Sequence, residues 1–453
     1  MTADARVERA EEVRAIQSTV KFAWGSGALG VAVLMNTVAF FGLYYMVGVL
    51  KIEPALAGTL IFVTKLFDVI TDPLVGSWSD RLTRVGSRRR PFLLVGAIVS
   101  PLAFLMIFTT PMFEAQVFTA SYIFVAMLIY TFGYTLFNVP YISMPAEMTD
   151  DYHERSKIHG VRMIFVSLAG ILAGAGTPAL LDALGRKNWD AYAAVGAIGA
   201  LIIFVSMMVA WWGTRNARFT VTPKRAPDLL AECRHVFADR IFIRLLSVKA
   251  SQLLAAASMQ SAMAFFVVYV LQRDFDLLSY YGLSIGIASL IASPLIVRFS
   301  AVVGKRGAYM FAAICSILVT GSWILAAPGD PTWMVLLRGV VIAVAVSGNV
   351  IMAMSMLTDI INYSARHTDI RREGVYTAFY SFVEKFTFAL GPLIVGVAMS
   401  VAGFDESLPD EALQTPEIRQ ALLLAVSYIP IAMNLLSIYL LRGYRLSKED
   451  LDA

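Results

Sequence analysis

Charged residues and cysteines are scarce in this sequence of 453 residues. Only 15% of the residues are Asp, Glu, Lys or Arg, whereas 58% are hydrophobic, and this balance excludes an ordinary soluble domain. The two cysteines, Cys233 and Cys315, are too few and too far apart for a disulfide framework, and neither belongs to a metal-ligand motif. The sequence therefore indicates an integral membrane protein without a cysteine-based site.

Long hydrophobic runs, by contrast, are abundant. Twelve stretches have about 20 residues or more, so each is long enough as a helix to cross ~30 Å of hydrocarbon. This pattern predicts an all-α membrane protein with twelve transmembrane helices. The predicted spans are Val20–Val49, Leu56–Ser79, Pro91–Met112, Val117–Met148, Ile158–Leu181, Tyr192–Trp212, Phe242–Leu271, Tyr280–Ser300, Tyr309–Ala327, Trp333–Ile361, Val375–Ala402 and Ile418–Leu441.

Basic residues are concentrated in alternate loops between these spans. Cytoplasmic loops carry this excess in membrane proteins, and residues 1–14 lack the apolar core of a secretory signal peptide. We therefore expect both termini to be cytoplasmic and the chain to lie in the plasma (inner) membrane. The formal net charge of +4 follows from this topology, so nucleic-acid binding is not expected. The basic clusters lie in Arg81–Arg90, Arg215–Arg234, Lys305–Arg306 and Arg366–Arg372.

A polar stretch in the middle divides the chain into two halves. We predict an N-terminal six-helix bundle at 1–213, a cytoplasmic middle loop at 214–240 and a C-terminal six-helix bundle at 241–453. Two repeated bundles are typical of transporters that alternate access by rocking one half on the other. Short echoes support a duplication: Val85–Arg88 recurs as Val303–Arg306, and Asn138 leading to Thr149-Asp150 recurs as Asn349 leading to Thr358-Asp359.

The second predicted span contains three ionisable residues. Lys65, Asp68 and Asp72 follow one another at i, i+3 and i+7, so they face the same side of a helix. Each carboxylate at the bilayer centre costs roughly 3 kcal/mol on insertion scales, which marks this pair as a coupling-ion site. Two carboxylates one turn apart repel if both are ionised, so they hold a proton or need a cation. Oxygens of Thr71 and Thr135 would complete a shell for Na⁺; H⁺ is the alternative.

Two motifs in this region resemble those of a known family. Gly76–Arg81, followed by Arg84 and Gly86–Arg90, resembles the loop signature of the major facilitator superfamily. Asp68–Gly76 resembles the second-helix motif of its glycoside-pentoside-hexuronide:cation symporters, the melibiose permease-like branch. The resemblance implies a cation-coupled symporter of a sugar or glycoside. By position it implies a cation site at Asp68, Asp72, Thr71 and Thr135, coupling at Lys385, substrate contacts at Arg162 and Tyr134, and a cytoplasmic latch at Asp80, Arg81 and Arg84. Lys65 is added as a coupling residue because it shares the helix face of the two acids.

The sequence departs from this family where sugar hydroxyls are bound. Val31 and Ala32 stand where the sugar-transporting pattern has a lysine and an aspartate, and Asn138 replaces another aspartate. The substrate site is thus less charged and more apolar, and a galactoside specificity does not transfer. Similar motifs in sodium-dependent lysolipid symporters keep a lipid or other amphipathic substrate as the alternative. The predicted substrate residues are Arg162, Asn138, Tyr134, Tyr141 and Trp24.

Other functions and roles are alternatives to coupled symport. Lys65 or Lys385 would, in a purely structural role, neutralise the acid pair. An uncoupled facilitator or a substrate sensor has no need of a buried acid pair. A membrane enzyme needs a nucleophile with its base, a zinc cluster or a nucleotide loop, and no such constellation is found. We therefore expect no enzymatic activity, no cofactor besides the coupling cation, and a monomer in the lipid bilayer.

Three further charged residues lie within predicted spans. Lys249 and Arg338 are interpreted as snorkelling residues near helix ends, with a cavity-lining role as the alternative. Glu384 faces another way from Lys385, because neighbours on a helix lie about 100° apart. It is expected to pair with a different group.

Overall fold

The computed structural model describes residues 16–84, 89–149, 152–215, 217, 236–368, 372–405, 415–444 and 446. These residues form helices and no β-strand, and eleven of the helical stretches are long and apolar enough to cross a membrane. One of them, Phe275–Leu325, has 51 residues, whereas about 20 suffice for one crossing. It breaks at Gly304, whose φ of 77° is left-handed and favours glycine. Two spans lie here, so the described part of the chain contains the twelve predicted.

The helices are named α1–α12 in chain order. Three of them, α1, α5 and α12, contain a five-residue π-helical turn, and α9 ends in a 3-10 turn. The bounds are α1 (Ser18–Tyr44 and Tyr45–Val49), α2 (Pro54–Arg84), α3 (Arg90–Phe108), α4 (Gln116–Met148), α5 (Tyr152–Ile171, Leu172–Gly176 and Thr177–Leu184), α6 (Trp189–Gly213), α7 (Arg240–Tyr269), α8 (275–303), α9 (305–322 and Trp323–Leu325), α10 (Thr332–Thr368), α11 (Glu373–Val401) and α12 (Pro416–Leu423, Leu424–Tyr428 and Ile429–Arg442).

The chain divides into two compact units. Unit 1 comprises Met1–Val38, Phe67–Ala173 and Asn188–Lys224. Unit 2 comprises Ala39–Leu66, Gly174–Lys187 and Arg225–Ala453. Unit 2 thus includes the start of α2 and the ends of α1 and α5 besides the C-terminal half. The division into two six-helix bundles stays a prediction.

Small residues bring helices close together within unit 1. A Cβ added to Gly96 of α3 would lie 2.6 Å from the backbone nitrogen of Phe137 of α4, and one added to Gly30 of α1 would lie 2.5 Å from Ser206 Oγ of α6. Membrane helices associate through such close packing because lipid offers no hydrophobic driving force between them. The backbone contact requires glycine at position 96, and this packing joins α3 to α4 and α1 to α6.

Arg338 of α10 clamps the end of α9 within unit 2. Its Nε and Nη2 donate to Ser322 Oγ and O at 3.1 and 3.0 Å, and Nη1 lies 3.1 Å from Asp330 Oδ2. The guanidinium also stacks over the Trp323 ring at 4.2 Å. These contacts occupy the donors of Arg338 in a structural role at a helix end.

Candidate cation and substrate site

The two acidic residues of α2 meet a hydroxyl of α4 inside unit 1. Thr135 Oγ1 lies 2.9 Å from Asp68 Oδ1 and 3.0 Å from Asp72 Oδ1. Asp68 and Thr135 are buried, at 1% and 0% exposure, and Asp72 is half-buried. Pro73 follows within α2 and lacks the N–H that would extend the helical ladder. The predicted acid pair and Thr135 are thus brought together.

A hydroxyl has one hydrogen, so Thr135 donates fully to one carboxylate at a time. The two carboxylates otherwise face each other across this hydroxyl in a low-dielectric span, where like charges disfavour double ionisation. A proton or a cation shared by these oxygens removes the repulsion. Carboxylate and hydroxyl oxygens are hard ligands, as alkali and alkaline-earth ions prefer.

The other residues predicted for cation coupling are placed differently. Thr71 is buried, but its hydroxyl donates to the backbone carbonyl of Asp68 at 3.2 Å, and this contact follows its own helix. Lys65 is half-buried, three residues before Asp68 on α2. Lys385 lies half-buried on α11, within unit 2. The coupling roles of both lysines stay predictions.

The predicted latch falls at the cytoplasmic end of α2 by our topology. The backbone of Asp80, Arg81 and Arg84 belongs to this helix. Their side chains lie outside the part of the chain that the structure describes.

A second polar group on α4 lies beside the acid site. Asn138 Nδ2 donates to the Tyr134 hydroxyl at 2.9 Å, and both residues are buried at 8% exposure. Asn138 Oδ1 is buried and accepts no hydrogen bond from the described residues. Buried carbonyl oxygens are usually satisfied, so this atom suits a donor from a bound solute or water.

Trp24 of α1 and Tyr141 of α4 form an interlocked pair. The indole Nε1 donates to the Tyr141 carbonyl at 3.1 Å, and the Tyr141 hydroxyl donates to the Trp24 carbonyl at 2.9 Å. The rings stack with centroids 4.7 Å apart, and both residues are 0% exposed. Their donors are therefore used within the protein, and the pair joins α1 to α4 as a support.

Arg162 of α5 is half-buried beside this aromatic pair. Its guanidinium interacts with the Tyr141 hydroxyl, while its Nε is buried and has no hydrogen-bond partner among the described residues. His159, one turn earlier, packs edge-on against Trp24 with centroids 5.8 Å apart. A guanidinium with a spare buried donor is suited to a carboxylate, a phosphate or a glycosidic oxygen.

One residue at the site was not identified from the sequence. Tyr130 of α4 is buried, donates to the Leu34 carbonyl at 3.2 Å and lies within electrostatic range of Asp68. The signal for Tyr130 is its spacing, since Tyr130, Tyr134 and Asn138 follow at i, i+4 and i+8 on one face.

Contacts within unit 2 join its N-terminal segments to its C-terminal part. Ser400 Oγ of α11 donates to Glu53 Oε1 at 2.6 Å and accepts from the backbone N–H of Ala55 at 3.1 Å, and Arg186 pairs with Asp274. The π-helical turn of α5 meets α8 at backbone distance, because a Cβ added to Gly282 would lie 1.9 Å from the Gly174 carbonyl oxygen. This last contact leaves no room for a side chain at position 282.

Comparison with known proteins decides the family. A family model described as MFS/sugar transport protein matches residues 23–448. The chain belongs to this family. The resemblance to the melibiose permease-like branch of the major facilitator superfamily is confirmed, and the all-α fold with it.

Relatives cover nearly the full length of this MFS/sugar transport protein. It is 24% identical to the putative glycoside/cation symporter YagG of Escherichia coli, over 96% of this chain and 93% of the relative. It is 22% identical to the isoprimeverose transporter of Lactiplantibacillus pentosus, over 91% and 85%. It is 23% identical to the sodium-dependent lysophosphatidylcholine symporter 1-A of Danio rerio, over 97% and 88%.

A solved structure shows the same fold. A bacterial homologue of the human lysosomal transporter Spinster superposes with a TM-score of 0.69 at 16% identity, over 95% of this chain and 98% of that one. Its family makes this chain a multi-pass membrane protein and a cation-coupled transporter of a small molecule, not an enzyme.

Proposed function

We propose that this chain is a Na⁺-coupled symporter that moves a sugar or glycoside by alternating access. The observation that carries the proposal is the convergence of Asp68, Asp72 and Thr135, with Thr135 Oγ1 2.9 and 3.0 Å from the two carboxylates. Two acids in one membrane span are costly, and coupling to an ion offsets that cost. Na⁺ binding would draw both carboxylates and Thr135 onto one ion.

Na⁺ is preferred to H⁺ because the site offers several hard oxygens around one point. A single proton would need only one carboxylate and its partner. Thr71 would join the shell if its hydroxyl turned from the Asp68 carbonyl, and Lys65 and Lys385 would adjust the charge of the pair as the ion leaves. Asp80, Arg81 and Arg84 would form the cytoplasmic latch.

The substrate would bind along α4 and α5, next to the cation. Arg162 and the open acceptor of Asn138 would contact its oxygens, and the Tyr134 hydroxyl would extend this polar surface. Trp24 and Tyr141 would hold α1 and α4 in register behind it, because their own donors are occupied. The cation and the substrate would share α4, which carries Thr135 and Asn138 one turn apart.

The proposed orientation of the chain in the membrane follows from the charges of its loops. We place the protein in the plasma (inner) membrane as a monomer with both termini in the cytoplasm, and its two six-helix bundles rock about the site. In this orientation the contacts of Gly174 with Gly282, Arg186 with Asp274 and Glu53 with Ser400 would close the outer ends of the helices. Their opening would admit substrate from outside.

Transport by the purified protein in liposomes tests the proposal. Isoprimeverose uptake is measured with an imposed inward Na⁺ gradient, with a proton gradient, and with neither. The expected result is accumulation with Na⁺ alone. Accumulation driven only by protons would replace Na⁺ with H⁺, and uptake that neither gradient changes would contradict symport.

A lysolipid is the second candidate substrate. It is favoured by the similarity to a lysophosphatidylcholine symporter over 97% of this chain and by an Arg162 guanidinium that would suit a phosphate. The same liposomes, supplied with lysophosphatidylcholine in place of isoprimeverose, separate the two. Na⁺-driven movement of the lipid without isoprimeverose uptake would assign the chain to lysolipids.

A further inference from the structure

An ion pair lies in unit 2, apart from the site described above. Lys249 Nζ of α7 is 3.1 Å from Glu384 Oε1 of α11, and the two side chains are 5% and 42% exposed. The ammonium also lies 5.5 Å from the centre of the Tyr380 ring, within the range of a cation–π contact. The buried lysine is thus compensated by a carboxylate and an aromatic face, while the carboxylate stays partly open.

Both charges lie well inside helices that are long enough to cross the membrane. Lys249 follows Arg240, the first residue of α7, by nine residues, and Glu384 follows Glu373, the first residue of α11, by eleven. At 1.5 Å per residue these are distances of about 14 and 16 Å from the starts of the two helices. A partly exposed carboxylate at such a position is unstable against hydrocarbon. The open side of Glu384 therefore faces water.

Further polar groups of unit 2 surround the pair. The buried hydroxyls of Tyr380 and Tyr309 lie within electrostatic range of Glu384 and have no hydrogen-bond partner among the described residues. One turn along α7 from Lys249, Gln252 Nε2 lies 3.2 Å from both Asn349 Oδ1 and Ser437 Oγ. Buried hydroxyls without a partner are rare in a finished core, so these atoms point to a polar ligand.

We propose that Glu384, Lys249 and Tyr380 form a second substrate subsite, which binds hydroxyl groups of a neutral glycoside. Lys249 holds one carboxylate oxygen and leaves the other to accept a hydrogen bond from a sugar hydroxyl, and the buried Tyr380 ring holds the Lys249 ammonium in place. The ion pair is neutral overall, which favours an uncharged, hydroxylated ligand over an ion. This subsite rests on the proposed glycoside transport.

Substitution of the carboxylate tests the subsite. Isoprimeverose uptake is measured in proteoliposomes with an imposed inward Na⁺ gradient. E384Q keeps the shape of the side chain but removes its charge, so we expect the KM for isoprimeverose to rise about tenfold, as for the loss of one charge-assisted hydrogen bond. The half-saturating Na⁺ concentration stays at the parental value. E417Q, at an exposed glutamate of α12, is the matched control and keeps the parental KM.

Charge reversal separates binding from a structural role. In the double variant K249E/E384K the ion pair is restored with the carboxylate on α7, so thermal stability is expected to return while the KM stays raised. A parental KM in E384Q or in the reversed pair would overturn the subsite. The proposed glycoside symport would then stand.

Water access gives a second readout, which does not depend on transport. With Cys233 and Cys315 replaced by serine the chain has no other cysteine. E384C should react with a cationic methanethiosulfonate reagent and be protected by isoprimeverose, whereas F382C, about 200° around α11, should not react. No reaction at position 384 would overturn the subsite alone. No isoprimeverose uptake by the parent chain would overturn the glycoside assignment and this subsite with it.

Discussion

Thr135 and Asp68 lie 67 residues apart in the sequence, yet the Thr135 hydroxyl is 2.9 Å from Asp68 Oδ1. The contact joins α4 to α2 in a buried place, where a hydrogen bond is strong because water does not compete. The same hydroxyl reaches Asp72 Oδ1 at 3.0 Å. One oxygen therefore contacts both acids. Its removal should lower the affinity for a cation more than it lowers the stability of the fold.

We expect Thr135→Ala to raise the half-saturating Na⁺ concentration for transport about tenfold, because a cation loses one oxygen ligand worth about 1.4 kcal/mol. Thr135→Ser keeps the oxygen and should restore most of the affinity. Thr131→Ala is the control: Thr131 is buried one turn earlier on α4, and its hydroxyl has no hydrogen-bond partner among the described residues. Equal effects at positions 131 and 135 would contradict the cation site.

Neutralising either acid should abolish accumulation. Asp68→Asn and Asp72→Asn keep the side-chain size but remove the charge that a cation requires, so gradient-driven uptake falls to background. The fold is expected to survive, because a buried amide costs less than a buried carboxylate. Size-exclusion profiles check folding, and uptake at the parental level in either variant would count against the site.

The fold was largely predictable because hydropathy reports directly on membrane spans. Each apolar stretch of the sequence became a helix, since backbone groups in lipid must be satisfied within the segment. The π-helical turns were not predictable, because their residues, such as Tyr45–Val49, are as apolar as their neighbours. Nor did hydropathy indicate that Gly304 would carry the only turn between α8 and α9 in the described residues.

The site was predictable only in part. Asp68 and Asp72 stand out since charge is rare in a span, and the family resemblance adds Thr135. The Lys249–Glu384 pair was missed because each residue was considered by itself. A lysine and a glutamate at similar depths in two different spans are the signal that identifies such a pair.

Arg162→Ala should weaken substrate binding more than cation binding. Removing the guanidinium removes hydrogen-bond donors from the substrate side of α5, whereas the acid pair and Thr135 are untouched. We expect the KM for isoprimeverose to rise at least tenfold with little change in Na⁺ dependence. Met163→Ala, at the exposed neighbouring residue, is the control. Equal losses of sugar and Na⁺ affinity in Arg162→Ala would contradict the assigned role.

Acid should weaken the ion pair that ties α1 to α5. Glu154 Oε2 lies 2.6 Å from Lys21 Nζ, and hydrogen bonding to Lys21, with Lys157 and the Ile16 N–H, lowers the pKa of Glu154 to about 2. A depressed carboxylate pKa stabilises the fold above the ordinary value of 4.5, and the benefit is lost as pH falls towards 2.

The two side chains are only 12% and 8% exposed, so we expect a contribution of about 1 kcal/mol, at the upper end of the range for ion pairs. The melting temperature of Glu154→Gln in detergent should lie below that of the parent at pH 6. The difference should shrink below about pH 4.5. Glu417→Gln supplies the control, and a gap that is constant from pH 6 to pH 3 would contradict the assignment to Glu154.

The backbone contact between α5 and α8 offers an asymmetric pair of substitutions. A methyl group at Gly282 would lie 1.9 Å from the Gly174 carbonyl oxygen, whereas one at Gly174 meets nothing closer than 3.7 Å. Gly282→Ala should therefore prevent these helices from meeting, while Gly174→Ala is accommodated. Since the contact belongs to the proposed outer closure, uptake should fall tenfold or more in Gly282→Ala and stay near the parental rate in Gly174→Ala. Stabilisation by Na⁺ should persist in both variants, because the acid pair lies elsewhere, and a loss of that stabilisation in Gly282→Ala would show misfolding instead of a blocked closure.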